Sequence, residues 1–190
     1  MIETVQRRIP VRRWFLLFCL AVVILPGRVP GETISGAEYP VKLGFIYHFI
    51  RFTQWPPETF ETPESPITFC VAATHPEAAT LFSLQGRKVK GRRIDVQRYA
   101  GEADATACQV LFIASGDQAF VQPILDGIQG RQVLSIGEVR EFTRMGGVIN
   151  FFVEQDQLRF EVNLDAAESA GLKFSSQLLM SADIVKKRKE

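Results

Sequence analysis

The stretch from Tyr39 to Trp55 constrains the fold most, because it predicts a helix that is apolar on nearly every side. Its central stripe repeats at helical steps of four, four and three residues, at Val41, Phe45, Phe49 and Phe52. Pro56 and Pro57 end the helix, since proline lacks the N–H group that a helix interior needs. A helix with so little polar surface must be covered, either by the core of its own domain or by a second subunit.

Segments typical of strands and of helices alternate through the middle of the chain. The strand-like segments are Ile67–Ala73, Arg87–Tyr99, Val110–Ala114 and Gln132–Ile136. The helix-like segments are Pro76–Leu84, Gln118–Ile128 and Glu138–Arg144. Such an alternation predicts βαβ units, and therefore a parallel sheet with helices on its faces.

The last part of the chain adds a hairpin to this pattern. The apolar segments Val148–Val153 and Leu158–Leu164 flank a polar turn at residues 154–157. Two short helices are expected after it, over Asp165–Ala170 and from a Ser175 or Ser176 cap through Leu178, Leu179, Ala182 and Val185. We therefore expect an α/β fold over residues 38–190: a single three-layer domain whose sheet is mostly parallel, with an added antiparallel hairpin.

The first 37 residues have the layout of a secretory signal peptide. Basic residues precede an uncharged run, a proline breaks it, and small residues offer a cleavage site: Arg7, Arg8, Arg12, Arg13, then Trp14–Leu25, Pro26 and Ser35–Ala37. The run is shorter than the roughly 20 residues that a bilayer-spanning helix needs, although an uncleaved anchor is the alternative. We predict a cleaved leader over residues 1–37 and an exported protein.

Charge argues against a nucleic-acid partner. The full chain has 22 Lys+Arg and 21 Asp+Glu, and residues 1–37 hold five of the arginines and two of the glutamates. Residues 38–190 therefore carry 17 positive and 19 negative side chains, a net charge of about −2. Because a nucleic-acid-binding domain shows a basic face or stripe, we expect no nucleic acid to bind. The basic run at residues 186–189 is interpreted as a solvated end.

Cys70 and Cys108 remain once Cys19 leaves with the leader. An even pair in an exported chain predicts one disulfide. Cys70 lies within a strand-like segment and Cys108 at the start of the apolar stretch CQVLFIAS, and neighbouring strands or strand ends can bring two Cα atoms within the required ~4.4–6.8 Å. Two buried free thiols are the alternative. No metal site is expected, because His48 and His75 are not spaced as ligands with either cysteine.

The sequence contains no motif typical of a catalytic or cofactor site: G-x-G-x-x-G, the P-loop, G-x-S-x-G and H-E-x-x-H are all missing. The acidic residues on predicted helices are interpreted as solvated, namely Asp117, Asp126, Glu138 and Glu141. His48 is either a titrating switch or, as we favour, a packed and hydrogen-bonded histidine. We therefore predict a protein that is not an enzyme, with no catalytic residue, cofactor or metal.

Several segments resemble the YfiR family, also called DUF4154. The first is Tyr39–Pro56, which is similar to the family's K-x-x-F-[LI]-Y-N-F-[AI]-K-F-x-E-W-P opening, with His48, Arg51 and Gln54 where Asn, Lys and Glu are usual. The others are Ile67–Val71, Val89–Arg92, Cys108–Phe112, Gly146–Phe151, Arg159–Asn163 and Ala170–Leu179. Together these segments cover nearly all of residues 38–190.

The resemblance implies a periplasmic α/β protein, often a dimer, with a disulfide that matches Cys70–Cys108. It also implies repression of a membrane-bound diguanylate cyclase through the cyclase's periplasmic sensor domain, relieved by stress through an outer-membrane lipoprotein. Better-known members have a second cysteine pair, and the corresponding region, residues 144–152, has none. Redox sensing that depends on that second bridge is therefore not implied for this chain.

Three classes of function are considered. The first is a regulator that binds a membrane sensor, either a diguanylate cyclase or another sensor such as a histidine kinase. Its predicted contacts with a partner or a second copy are Phe45, Phe49, Phe52 and Trp55, because aromatic residues anchor interfaces; packing in the core is the alternative for the same residues. The second is a periplasmic small-molecule-binding protein, and the third, ranked last, is an exported hydrolase.

Overall fold

The computed structural model describes residues 38–101 and 107–185. The predicted leader, residues 1–37, and the basic run at residues 186–189 lie outside the described residues. Within the described ranges, no helix combines the length and the apolar character that crossing a bilayer demands.

The bounds of the elements are as follows. The strands span Thr53–Gln54 (β1), Ile67–Ala73 (β2), Lys88–Val89 (β3), Arg92–Arg98 (β4), Val110–Ala114 (β5), Leu134–Gly137 (β6), Ile149–Glu154 (β7), Gln157–Asn163 (β8), Lys173–Phe174 (β9) and Asp183–Val185 (β10). The α-helices span Glu38–Phe52 (α1), Gln118–Gly127 (α2), Leu164–Ser169 (α3) and Ser176–Leu179 (α4), and two 3₁₀ helices span Pro57–Thr59 and Pro76–Leu84.

An eight-stranded sheet with the order β10-β8-β7-β6-β5-β2-β4-β3 forms the centre of the described domain. Its pairings are parallel except for β7 with β8 and β3 with β4. The predicted α/β fold and the added hairpin are therefore confirmed. The β7–β8 turn consists of Gln155 and Asp156, whose φ angles of 51° and 58° match the turns that the twist of a two-stranded hairpin favours.

Helices lie on both faces of this sheet, which gives the predicted three layers. The apolar run of β5 is continuous because alternate residues enter different cores: Phe112 lies in one cluster, with Phe49 of α1, and Leu111 lies in the other, with Val121 of α2. Strand β5 is wholly buried as a result. The two faces together explain why its sequence shows no apolar–polar alternation.

Helix α1 ends three residues earlier than predicted. Thr53 and Gln54 leave the helix and pair antiparallel with Phe174 and Lys173 of β9, so that Trp55 is not a helical residue. The Thr53 hydroxyl donates to the Phe49 carbonyl at 2.7 Å and satisfies one of the carbonyls that the last turn leaves open. The proline pair therefore follows a short strand instead of ending the helix directly.

Four other predicted elements differ in type. Pro76–Leu84 is a 3₁₀ helix, and Arg87–Tyr99 forms a hairpin, β3–β4, in place of one edge strand. The predicted helix Glu138–Arg144 is a series of turns, since Glu141 has a φ of 69° and the Phe142 ring fills the space above Gly137 and Gly147. The final helix is a single turn, and its predicted end at Val185 belongs to β10, which pairs with β8.

Candidate functional site

The aromatic residues predicted to contact a partner do not share one environment. Phe49 is completely buried, with its ring centroid 4.7 Å from that of Phe160 and 5.4 Å from that of Phe151. Phe45 is half-buried and lies 5.7 Å from Phe160. In this fold Phe49 has no surface to offer to a partner, which corresponds to the core alternative for this side chain.

Phe52 and Trp55 keep part of their surface exposed. The ring of His48 stacks on Phe52 at 5.9 Å, with 16° between the planes. His48 is therefore packed against a ring, as expected, but on the exposed outer side of α1. The contact prediction therefore stays a prediction for Phe45, Phe52 and Trp55.

The outward face of α1 consists of exposed residues that are one helical turn apart. They are Val41, Gly44, His48 and Arg51, and the side chain of Val41 is 51% exposed. A Cβ atom at Gly44 would meet no atom within 4 Å. Glycine in a helix interior costs about 1 kcal/mol relative to alanine, and no contact among the described residues requires it. We call these four residues the outward face of α1.

On the sheet side of the same helix, a buried polar cluster ties α1 to the sheet. Lys42 is 2% exposed, and its ammonium lies 2.6 Å from a carboxylate oxygen of Glu38 and 2.6 Å from one of Glu138. The Tyr39 hydroxyl donates to the other Glu138 oxygen at 2.9 Å, and His75 Nε2 lies 3.1 Å from that oxygen. We call Tyr39, Lys42, His75 and Glu138 the Lys42–Glu138 cluster.

The cluster lies at the carboxyl edge of the parallel strands. Glu138 directly follows β6, and His75 comes shortly after β2, which is separated from β6 only by β5. This edge is where ligand sites of open α/β sheets form. Here, however, the first turn of α1 covers it and both oxygens of Glu138 are engaged, so the arrangement anchors a helix and leaves no free nucleophile–base pair.

Burial sets the electrostatics of the cluster. Burial raises the pKa of Tyr39 above its ordinary value, and the Glu138 carboxylate raises it further, so this phenol remains a neutral donor. A buried ammonium such as that of Lys42 is tolerated only where carboxylates offset its lost hydration. The interpretation of Glu138 as a solvated residue is wrong, because its side chain is 7% exposed.

Sequence reasoning missed this cluster, although one signal was present. A single lysine close to the start of an otherwise apolar helix needs either solvent or a buried carboxylate, and the burial of the rest of α1 favoured the carboxylate. Nothing in the sequence pointed to Glu138 in particular. Among the described residues, no group of three or more His, Cys, Asp or Glu side chains is placed to hold a metal ion.

The predicted disulfide is formed between Cys70 and Cys108. Cys70 lies within β2 and Cys108 just before β5, and these strands are neighbours, so the two Cα atoms are 5.8 Å apart. Both cysteines are buried, and the side-chain amide of Gln97 on β4 lies 3.3 Å from the Cys70 sulfur. The bridge therefore joins adjacent strands beneath the protein surface.

Trp55 lies in a cleft of about 570 Å³ at the end of α1. Its indole N–H donates to the Gln109 carbonyl at 3.3 Å, and its ring lies edge-on to Phe60 at 6.2 Å. Lys90 and Arg92, from the turn and the first residue of β4, contribute positive charge to the cleft wall. The sequence did not reveal this cleft, because its walls come from three separate segments.

Comparison with known proteins identifies a family. The YfiR/HmsC-like (DUF4154) family model matches residues 39–183. A solved structure of a conserved domain protein from Vibrio cholerae is similar at 12% identity and a TM-score of 0.49, over 76% of this chain and 60% of that one. An ABC domain in complex with L-Trp from Streptococcus pneumonia is similar at 7% identity and 0.44, over 64% and 55%. This chain thus spans 60% of the length of the first structure.

Proposed function

Because this chain belongs to the YfiR/HmsC-like family, whose members are periplasmic regulators of c-di-GMP signalling, we propose that it represses a membrane-bound diguanylate cyclase by binding the cyclase's periplasmic sensor domain. The main support for this proposal is the extent of the family match, which runs from the start of α1 to the first residue of β10. A repressor of this kind acts by binding the inactive state of the sensor more tightly than the active one. An outer-membrane lipoprotein is the partner that would relieve the repression.

The proposal requires export. The layout of residues 1–37 supports a cleaved leader, after which the chain would begin at Glu38. Amino-terminal sequencing of the protein recovered from the periplasm is expected to start at Glu38. Retention of the whole chain in the cytosol, with Cys70 and Cys108 both open to alkylation, would contradict this step.

The outward face of α1 is the surface that we assign to the sensor domain. It combines an exposed aliphatic residue, Val41, with Gly44, where a partner can approach the helix backbone closely. The half-buried rings of Phe45 and Phe52 border this face and add aromatic surface of the kind that anchors interfaces. A homodimer is a separate expectation, and light scattering at micromolar concentration decides it.

A charge on this face tests the assignment. In the bacterium that encodes this chain, deletion of its gene is expected to raise c-di-GMP, and the wild-type gene is expected to restore the lower level. Val41→Glu should fail to restore it, because a carboxylate would be desolvated in the interface. Val153→Glu is the matched control, since Val153 is 59% exposed on β7 and lies outside the assigned face.

The outcomes separate the two parts of the proposal. Unchanged c-di-GMP after deletion of the gene would refute regulation of a cyclase. If deletion raises c-di-GMP and Val41→Glu restores it as well as Val153→Glu does, the function stands but the outward face of α1 is not the contact surface. Thermal unfolding of both variants checks that each one is folded.

A further inference from the structure

The cleft at the end of α1 has the size and the walls of a small-molecule site. Its volume of about 570 Å³ falls within the range of roughly 300–1,000 Å³ that is usual for ligand pockets. Apolar side chains make up much of the lining: Ile50, Trp55, Pro56, Pro57, Phe60 and Val89. The segments that supply them are the end of α1, the loop from residue 55 to residue 63, and the β3–β4 hairpin.

Two cations in the cleft wall are held by neutral groups. The Lys90 ammonium donates to the Thr53 carbonyl at 3.0 Å. The Arg92 guanidinium donates to the Thr62 and Ser65 carbonyls at 2.9 and 2.7 Å and lies 3.9 Å above the Phe60 ring. Within residues 38–101 and 107–185, no carboxylate lies within 4 Å of either cation. Glu61 also lines the cleft, but it forms no ion pair with Lys90 or Arg92, so both cations lack a paired carboxylate in the described part of the chain.

The same chain shows elsewhere how it compensates a lysine that is fully buried, whereas Lys90 is exposed. Lys42 has two carboxylates at 2.6 Å, whereas Lys90 has one backbone carbonyl. Lys90 is an exposed residue overall, and the part of its side chain that the cleft wall covers lowers its pKa by reducing the hydration of the ammonium. An anion bound in the cleft would supply the missing partner, and charge-assisted hydrogen bonds would strengthen its binding.

The aromatic side chains restrict what else the ligand must contain. Trp55 and Phe60 meet at 76° between their planes, and the hydrogen bond from the indole to Gln109 holds the Trp55 ring in place. Such a corner offers one ring face and one ring edge to an apolar or aromatic group. We propose that this cleft binds a small anionic ligand that carries an aromatic ring, with Lys90 and Arg92 on the anionic group and Trp55 and Phe60 on the ring.

Trp55 provides a direct readout of binding. The full chain has two tryptophans, Trp14 and Trp55, so a full-length Trp14→Phe chain reports on the cleft alone. Its fluorescence is titrated with phenyl phosphate and with 3-phenylpropanoate at about 0.15 M salt, where charges farther apart than about 8 Å are screened. We expect a saturable change with at least one of these anions. The neutral 3-phenylpropan-1-ol should bind about tenfold more weakly or worse, since it lacks the charge-assisted bond.

Charge variants on one hairpin provide the controls. Lys90→Gln is expected to weaken binding of the anion about tenfold. Lys88→Gln should leave the affinity unchanged, because Lys88 is also exposed but lies on the neighbouring strand and does not line the cleft. Arg92→Gln should weaken binding too, but it also removes hydrogen bonds to the Thr62 and Ser65 carbonyls, so Lys90→Gln is the deciding variant.

Three results would overturn the proposal: no saturable signal with either anion, equal affinity for the neutral alcohol, or wild-type affinity in a folded Lys90→Gln variant. The titration uses this chain without any partner. Its failure therefore leaves the proposed repression of a cyclase untouched, and unchanged c-di-GMP in the gene deletion leaves the binding site untouched.

Discussion

Removal of the buried cation at Lys42 is expected to destabilise the domain severely. The perturbation is Lys42→Met, which keeps a long apolar side chain of similar length and removes the charge. Glu138 would then stay 7% exposed without a cation, and only the Tyr39 hydroxyl and His75 would remain beside its oxygens. Breaking a buried ion pair by removing one partner costs about 3–5 kcal/mol.

The reverse change is expected to cost less. In Glu138→Gln, Lys42 retains Glu38, whose side chain is 23% exposed and already sits 2.6 Å away, and the amide oxygen of the new residue still accepts from Tyr39. We expect a loss of about 2–3 kcal/mol. The double variant leaves no unpaired charge at position 138, so its total loss should be at least about 2 kcal/mol smaller than the sum of the single losses.

Urea unfolding of the four proteins measures these values at constant pH, with the slope against urea compared to check that unfolding remains two-state. For a domain of this size, 3–5 kcal/mol corresponds to a melting temperature lower by roughly 10 °C. The matched control is the surface pair Arg144–Glu141, with 75% and 37% exposed side chains, for which the same cycle should yield about 0–0.5 kcal/mol.

Additive losses in the Lys42–Glu138 cycle would refute the reasoning, because they would show that the two groups do not interact in solution. A Lys42→Met variant within about 1 kcal/mol of the wild type would refute it as well, since the penalty for an uncompensated buried carboxylate would then be missing.

Three further predictions concern stability. Gly44→Ala should raise the free energy of unfolding, measured in urea, by about 1 kcal/mol, because alanine favours the helix more than glycine does and the new methyl group meets no neighbouring atom. A lower free energy of unfolding would show that the methyl group clashes with a neighbour. Reduction of the Cys70–Cys108 disulfide, whose cysteines are separated by 38 residues, should lower the free energy of unfolding by about 3–4 kcal/mol. The same melting temperature with and without reductant would show that the disulfide does not stabilise the fold. Burial raises the pKa of Tyr39 in the folded state, so above about pH 10 the unfolded state releases the phenolic proton first and stability falls as pH rises. Tyr39→Phe should flatten that fall between pH 9 and about pH 11 in urea titrations, and an unchanged slope would argue against the buried phenol.

Much of the sheet could be predicted from local pattern. Strand β2 was predicted with its exact bounds, and the continuous apolar run of β5 marked a strand buried on both faces. The β7–β8 hairpin followed from two apolar segments around a polar turn. These elements could be predicted because the burial of a strand and the formation of a turn both depend on the types of residues that are adjacent in the sequence.

The candidate site was harder to predict from the sequence. Trp55 was predicted to lie on α1, but the pairing of Thr53 with Phe174 ends the helix first, and that partner lies far along the chain. Phe49 and Phe52 belong to the same predicted apolar stripe, yet the structure buries one completely and leaves the other half-exposed. The width of an apolar stripe indicates that a helix is covered, but not how deeply each residue lies.

The sequence alone determined the class of fold, the family and the pair of cysteines available for a disulfide, because these depend on residue types and on their spacing along the chain. The tertiary structure decided which charges are compensated. Lys42 forms an ion pair with Glu138 at the edge of the sheet, whereas Lys90 donates only to a backbone carbonyl in an open cleft. The cost of removing a charge from water depends on the groups within a few ångströms in space, and folding brings those groups together from distant parts of the chain.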